Sequence, residues 1–208
     1  MFQHTAQRKF LNRWKVDGRY LYRITKGTRT VKTFQSAKRI EGFGAEDWQS
    51  NEMETAFADV EGVIGYTDVP GEILDPKKIM VLARWLALHF VRARRHRDVA
   101  LANERDYRMA VDLVQDRIAT YYGFFADFSR PVFITGDNPI VLVGTPSAGP
   151  PEWIAAPLSP TRCIYVMSQD HLPCESGIRG LRPSSVNELI YREATEFCLS
   201  FDRSLHLP

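Results

Sequence analysis

The apolar residues of this 208-residue chain change period near residue 130. Upstream they recur three and four residues apart. Phe57, Val60 and Ile64 form one such set, and Ile79, Leu82, Ala83, Leu86 and Phe90 form the next. That spacing lays one apolar stripe along a helix. Downstream the apolar residues come as short contiguous runs: Pro131 to Thr135, Ile140 to Val143 and Cys163 to Met167. Such runs read as buried strands. Helices followed by strands predict an α+β fold rather than alternating βαβ units. We expect one domain over residues 1–208, with a soft internal boundary near 130. A helical part would cover 41–125 and a strand-rich part, with a small, mostly antiparallel sheet, would cover 130–208.

Local signals refine this outline. Arg19-Tyr20-Leu21-Tyr22-Arg23-Ile24 alternates polar and apolar, as a half-buried strand does. Lys26-Gly27 is a turn signal, and Arg29 to Phe34 reads as the return strand of a hairpin. Asp75-Pro76 is a strong helix start, with an Asp cap and Pro at the first helical position. A further helix is expected from Asn103 to Tyr122, and Thr145 to Pro151 is Pro/Gly-rich loop. Ser185-x-x-Glu188 is a capping box predicting a C-terminal helix to about Leu199.

Charge is as segregated as hydropathy. Residues 1–40 hold eleven Lys and Arg against one acid, a balance of +10. Residues 41–76 hold ten acids and no Lys or Arg, a balance of −10. The simplest account is that these two blocks pack together. No apolar run approaches the roughly 20 residues of a spanning helix, and Met1-Phe2-Gln3-His4 lacks the apolar core of a signal peptide. A cytoplasmic protein without membrane contact is expected. The three cysteines, Cys163, Cys174 and Cys198, are odd in number and widely spaced, which fits reduced core thiols.

Four groups of residues could carry chemistry. Gly136-Asp137-Asn138-Pro139 lies between two apolar runs. Its plain reading is a hairpin turn; its functional reading places Asp137 and Asn138 at a sheet edge, holding a metal or polar ligand. Glu54 and Glu61 are two helical turns apart, so both carboxylates share one face and suit a hard cation such as Mg or Mn. Solvated or ion-paired acids would look the same. His4, followed by Phe10, Leu11 and Trp14 as anchors, is a candidate base or metal ligand, although a terminal histidine is usually trivial. Arg92, Arg94, Arg95 and Arg97 crowd the end of an apolar helix. Cations there complement the helix dipole, but four exceed what capping needs, and with Arg8 they suit phosphate. There is no Gly-x-x-x-x-Gly-Lys, Gly-x-Gly-x-x-Gly, Gly-x-Ser-x-Gly or His-Glu-x-x-His, so no nucleotide cofactor is evident.

Taken in order, these features resemble a widespread microbial family of unknown function. The opening Gln3-His4-Thr5-Ala6-Gln7 with Phe10-Leu11 is similar to its Gln-His-Tyr-Val-Pro motif and aromatic-Leu pair. Thr135-Gly136-Asp137-Asn138-Pro139 resembles its Thr-Ser-Asp-Asn-Pro motif, and Pro157-Leu158-Ser159-Pro160 its Pro-Leu-Ser-Pro segment. The spaced glutamates, the Arg-rich helix end and Asn187 also have counterparts. Gln7 and Gly136 stand where the family has Pro and Ser. The resemblance implies a fold relative and no particular activity.

Three functional readings follow. The first is a nucleic-acid-processing enzyme, in one form a metal-dependent nuclease in which Asp137 with Glu54, Glu61 or both holds the ion, His4 activates or orients water and the arginines hold phosphates. Asn138 belongs to the same candidate site. The second is a non-catalytic inhibitor or binding protein of a phage or mobile element, docking on a protein or nucleic-acid machine, with the acidic block as a phosphate mimic. The third is a small-molecule enzyme with its pocket at Asp137-Asn138.

Overall fold

The computed structural model describes residues 13–15, 21–26, 31–34, 52, 55–56, 58–60, 62, 71–95, 104–143, 153–168, 182–194 and 197–202. In chain order they form strands β1 (Leu21–Thr25) and β2 (Val31–Phe34), helices α1 (Pro76–Arg95) and α2 (Glu104–Ile118), strands β3 (Tyr122–Asp127), β4 (Thr135–Gly136), β5 (Val141–Val143), β6 (Trp153–Ser159) and β7 (Arg162–Met167), helix α3 (Pro183–Glu193) and strand β8 (Phe197–Ser200). Helical backbone also occurs at the described positions between 52 and 62. The fold is α+β, with two four-stranded antiparallel sheets ordered β2-β1-β8-β4 and β3-β7-β6-β5.

The first hairpin forms as its alternation predicts, with Leu21 opposite Phe34 and Ile24 opposite Val31. α1 begins at Pro76, and the Asp75 carboxylate accepts a hydrogen bond from the Lys77 N–H at 2.7 Å. That cap satisfies one of the donors a helix start leaves open. Ile79, Leu82, Ala83, Leu86 and Phe90 are all buried. α2 packs along α1, and the Tyr107 hydroxyl donates to the Leu88 carbonyl at 3.2 Å.

Three expectations need correction. The helix expected to reach Tyr122 stops at Ile118, and residues 122–127 are strand β3 paired with β7. Pairing with β7 takes these residues out of the helix, and Ile79 of α1 packs against Gly123, where a Cβ would collide with the Ile79 Cδ1. The last helix starts at Pro183, with Arg182 as N-cap and no side-chain cap bond, so Ser185 lies inside it. It ends at Glu193, and residues 197–200 form β8 in the interior of the first sheet. Finally, the runs flanking Asp137 do not pair with each other. β4 joins β8 in the first sheet and β5 joins β6 in the second. Residues 136–139 are therefore a crossing between sheets, not a hairpin turn.

Candidate functional site

The crossing is held from both sides. Upstream, residues 131–134 lie outside the strand ladders, so their backbone groups need other partners. Asn187, on α3, supplies them: its Oδ1 accepts from the Ile134 N–H at 3.0 Å and its Nδ2 donates to the Val132 carbonyl at 2.7 Å. The Val132 and Phe133 N–H groups both donate to the Pro160 carbonyl, at 2.8 and 3.0 Å. The Pro157 to Pro160 segment is thus the end of β6 and the start of the β6–β7 turn, and the crossing rests on Pro160. There Ser159 Oγ accepts from the N–H groups of Thr161 and Arg162.

At β4 the backbone closes tightly on β8. A Cβ on Gly136 would stand 2.9 Å from the Phe197 carbonyl oxygen and 3.5 Å from Cys198 Sγ, so only glycine fits without a shift. The Asp137 N–H donates to the Phe197 carbonyl at 3.3 Å, extending the pairing by one residue. The Asp137 carboxylate lies close enough to Cys198 to act on its thiol. Burial first, then the negative charge of Asp137, pushes that thiol up to about 12, while Lys26 acts in the opposite direction. Lys26, just past β1, donates from Nζ to the carbonyls of Arg192 and Ala194, each at 2.6 Å. It caps the C-terminal end of α3, where a cation is favoured. Thr135, beside Gly136, is fully buried, and its Oγ1 has no hydrogen-bond partner.

Asp137 and Asn138 are accordingly half-buried residues on a constrained crossing, and the charge of Asp137 acts on Cys198. His4, Arg8, Glu54, Glu61 and Arg97 lie outside the described residues. Arg92, Arg94 and Arg95 occupy the last turn of α1. Among the described residues, no group of three or more His, Cys, Asp or Glu side chains is placed to hold a metal ion. Asp137 is the one candidate carboxylate that the described residues include.

Where the acidic block is described, Glu52 docks on the helical hairpin. The Glu52 carboxylate pairs with Arg108, and its Oε2 lies 3.8 Å from Arg84. Arg84 also donates to Asp112 at 2.7 Å and Gln115 at 3.0 Å. Ala56 and Val60, one helical turn apart, are buried in the same core as Trp14. Cys163 and Cys198 are free and buried, in line with reduced core thiols; Cys174 is outside the described residues.

Sequence reasoning overlooked Lys26 and Asn187 as positioning groups. Lys26 reads locally as half of a turn signal, and Asn187 as a residue at a helix start; neither carries a local mark of its distant partner. No family model, curated protein or solved structure matched the chain.

Proposed function

We propose that this protein binds and processes nucleic acid. The observation that carries the reading is the end of α1, where Arg92, Arg94 and Arg95 fall within one helical turn. Guanidinium forks suit phosphate oxygens. Several of them at one place contribute salt-dependent affinity for a phosphodiester backbone. In the catalytic form of this reading, Asp137 offers its carboxylate to Mg or Mn, an ion that would activate water and stabilise phosphoryl charge.

The test is direct. Labelled single- and double-stranded DNA and RNA are titrated with the protein, then incubated with Mg, Mn or EDTA. The reading predicts binding that weakens as salt rises and weakens further when Arg92, Arg94 and Arg95 are changed together to Gln. Its nuclease form predicts divalent-dependent cleavage that Asp137→Ala abolishes. Binding without turnover would assign the protein to the non-catalytic docking or inhibitory class. Failure to bind any of the four polymers at low salt would overturn the reading.

A further inference from the structure

Helix α2 leaves an apolar pair in water. Met109 and Leu113, one turn apart, are 54% and 71% exposed. Single apolar side chains at a surface are ordinary. The charges placed around these two are not.

Tyr107, Val111 and Ile118 are the buried residues of α2 and define its inward direction. At roughly 100° per residue, Met109 falls opposite them, and Leu113 lies about 40° to one side of Met109. Arg105 and Asp116 lie within about 40° on the other side. Asp106 and Arg117 lie beyond Leu113, about 60–80° from Met109. All six are exposed. Arg105, Asp116 and Arg117 enter no ion pair among the described residues. Asp112, the remaining acid on this side, is engaged by Arg84 at 2.7 Å.

The charge order is Arg-Asp at 105–106 and Asp-Arg at 116–117, with Met109 and Leu113 between. This order complements itself when reversed. Lay two copies of α2 antiparallel about a two-fold axis level with Val111. Met109 of each copy then meets Leu113 of the other. The axis also sets each flank of the helix against the same flank of the second copy. On one flank Arg105 faces Asp116 of the second copy; on the other Asp106 faces Arg117 of the second copy. A parallel pair would instead set Arg105 against Arg105 and Asp116 against Asp116, which repel. Charge complementarity of this kind fixes register and suppresses wrong partners.

We propose that this protein self-associates through the outer face of α2, as an antiparallel two-fold pair. Met109 and Leu113 form its centre, and the Arg105–Asp116 and Asp106–Arg117 pairs form its rims. The 15 residues of α2 span about 22 Å. One face of such a helix covers less than the roughly 800 Å² per partner of a stable interface. The dimer is therefore concentration-dependent, with a dissociation constant of roughly tens of micromolar. This contact does not depend on the nucleic-acid reading.

The experiment is sedimentation equilibrium of the full chain from about 1 to 500 μM, a range that brackets such a constant. Wild type is compared with Leu113→Glu, Arg105→Asp, Asp116→Arg, the double variant Arg105→Asp with Asp116→Arg, and the control Arg130→Asp. All these positions are exposed, and circular dichroism checks that each variant folds. Leu113→Glu should weaken association about a hundredfold, because two leucines lose their burial. Arg105→Asp and Asp116→Arg should each weaken it about tenfold, because each sets like charges opposite one another twice. The double variant should dimerise like wild type, as should Arg130→Asp. An equimolar mixture of the two single variants should form a heterodimer of wild-type strength. Wild type that stays monomeric throughout overturns the proposal. A dimer that Leu113→Glu leaves intact lies on another face and overturns it too. Loss in both single variants without recovery in the double variant or the mixture overturns the antiparallel pairing.

Discussion

Replacing Asn187 with Ala removes the clamp on residues 132–134 and gives the sharpest stability prediction. Asn187 is 9% exposed, so water has little access to replace its two bonds. The change strands the Ile134 N–H and the Val132 carbonyl, which Asn187 meets at 3.0 and 2.7 Å. Each buried backbone group left without a partner costs about 1–3 kcal/mol. Partial relaxation makes about 3 kcal/mol a reasonable sum, against total stabilities of roughly 5–15 kcal/mol. For a chain of this size that lowers the melting temperature by about 6–12 °C. Urea unfolding followed by far-ultraviolet circular dichroism measures the loss. Asn187→Asp separates bonding from packing. A protonated carboxyl can donate to the Val132 carbonyl and accept from the Ile134 N–H, so the fold holds the proton and raises the carboxyl above its unfolded value of about 3.9. Stability of this variant is then greatest below that value and falls as pH rises through the folded one. A loss under about 1 kcal/mol for Asn187→Ala, or an Asn187→Asp variant as stable at pH 8 as at pH 5, would refute the clamp.

Two glycines and the buried thiols give further tests. Gly136→Ala should destabilise by about 1–3 kcal/mol, because its Cβ meets the Phe197 carbonyl, a backbone atom fixed by the β4–β8 ladder. Gly123→Ala should cost less despite the closer approach, because the obstacle is the end of the Ile79 side chain, which can rotate; thermal melts that rank the two in the other order would contradict this. Burial and Asp137 push the Cys198 thiol up to about 12 from 9.0, and burial pushes the Cys163 thiol up as well. The stability these neutral thiols contribute is fully present below the unfolded value and lost as pH rises toward the folded one. Unfolding free energy should therefore fall above about pH 9 by up to roughly 1.4 kcal/mol per pH unit for each thiol. Cys198→Ser should flatten that fall, and an unchanged alkaline slope would rule the thiol out as its cause.

The sequence by itself determined the elements whose signals are local. α1 could be read because Asp75 and Pro76 start it and an apolar stripe runs through Ile79, Leu82, Leu86 and Phe90. The first hairpin could be read because Arg19 to Ile24 alternates polar and apolar and Lys26-Gly27 marks a turn. β8 left no such trace. Phe197, Cys198, Leu199 and Ser200 are all buried, so the four residues lack a period and read equally well as the end of a helix. β3 was hidden because Tyr122, Gly123, Phe124 and Phe125 follow closely on α2, and only pairing with β7 makes them a strand.

The candidate site divides in the same way. Asp137 could be picked out because Asp and Asn between apolar runs mark an irregular backbone. Its surroundings could not. Tertiary structure alone decided that its flanking strands enter different sheets, that its charge acts on Cys198, and that Asn187 steadies the approach. Periodicity reports which side of a segment meets the core, because that is a property of the backbone's own repeat. The partner that fills the other half of each contact lies tens of residues away, and nothing in the local repeat encodes it.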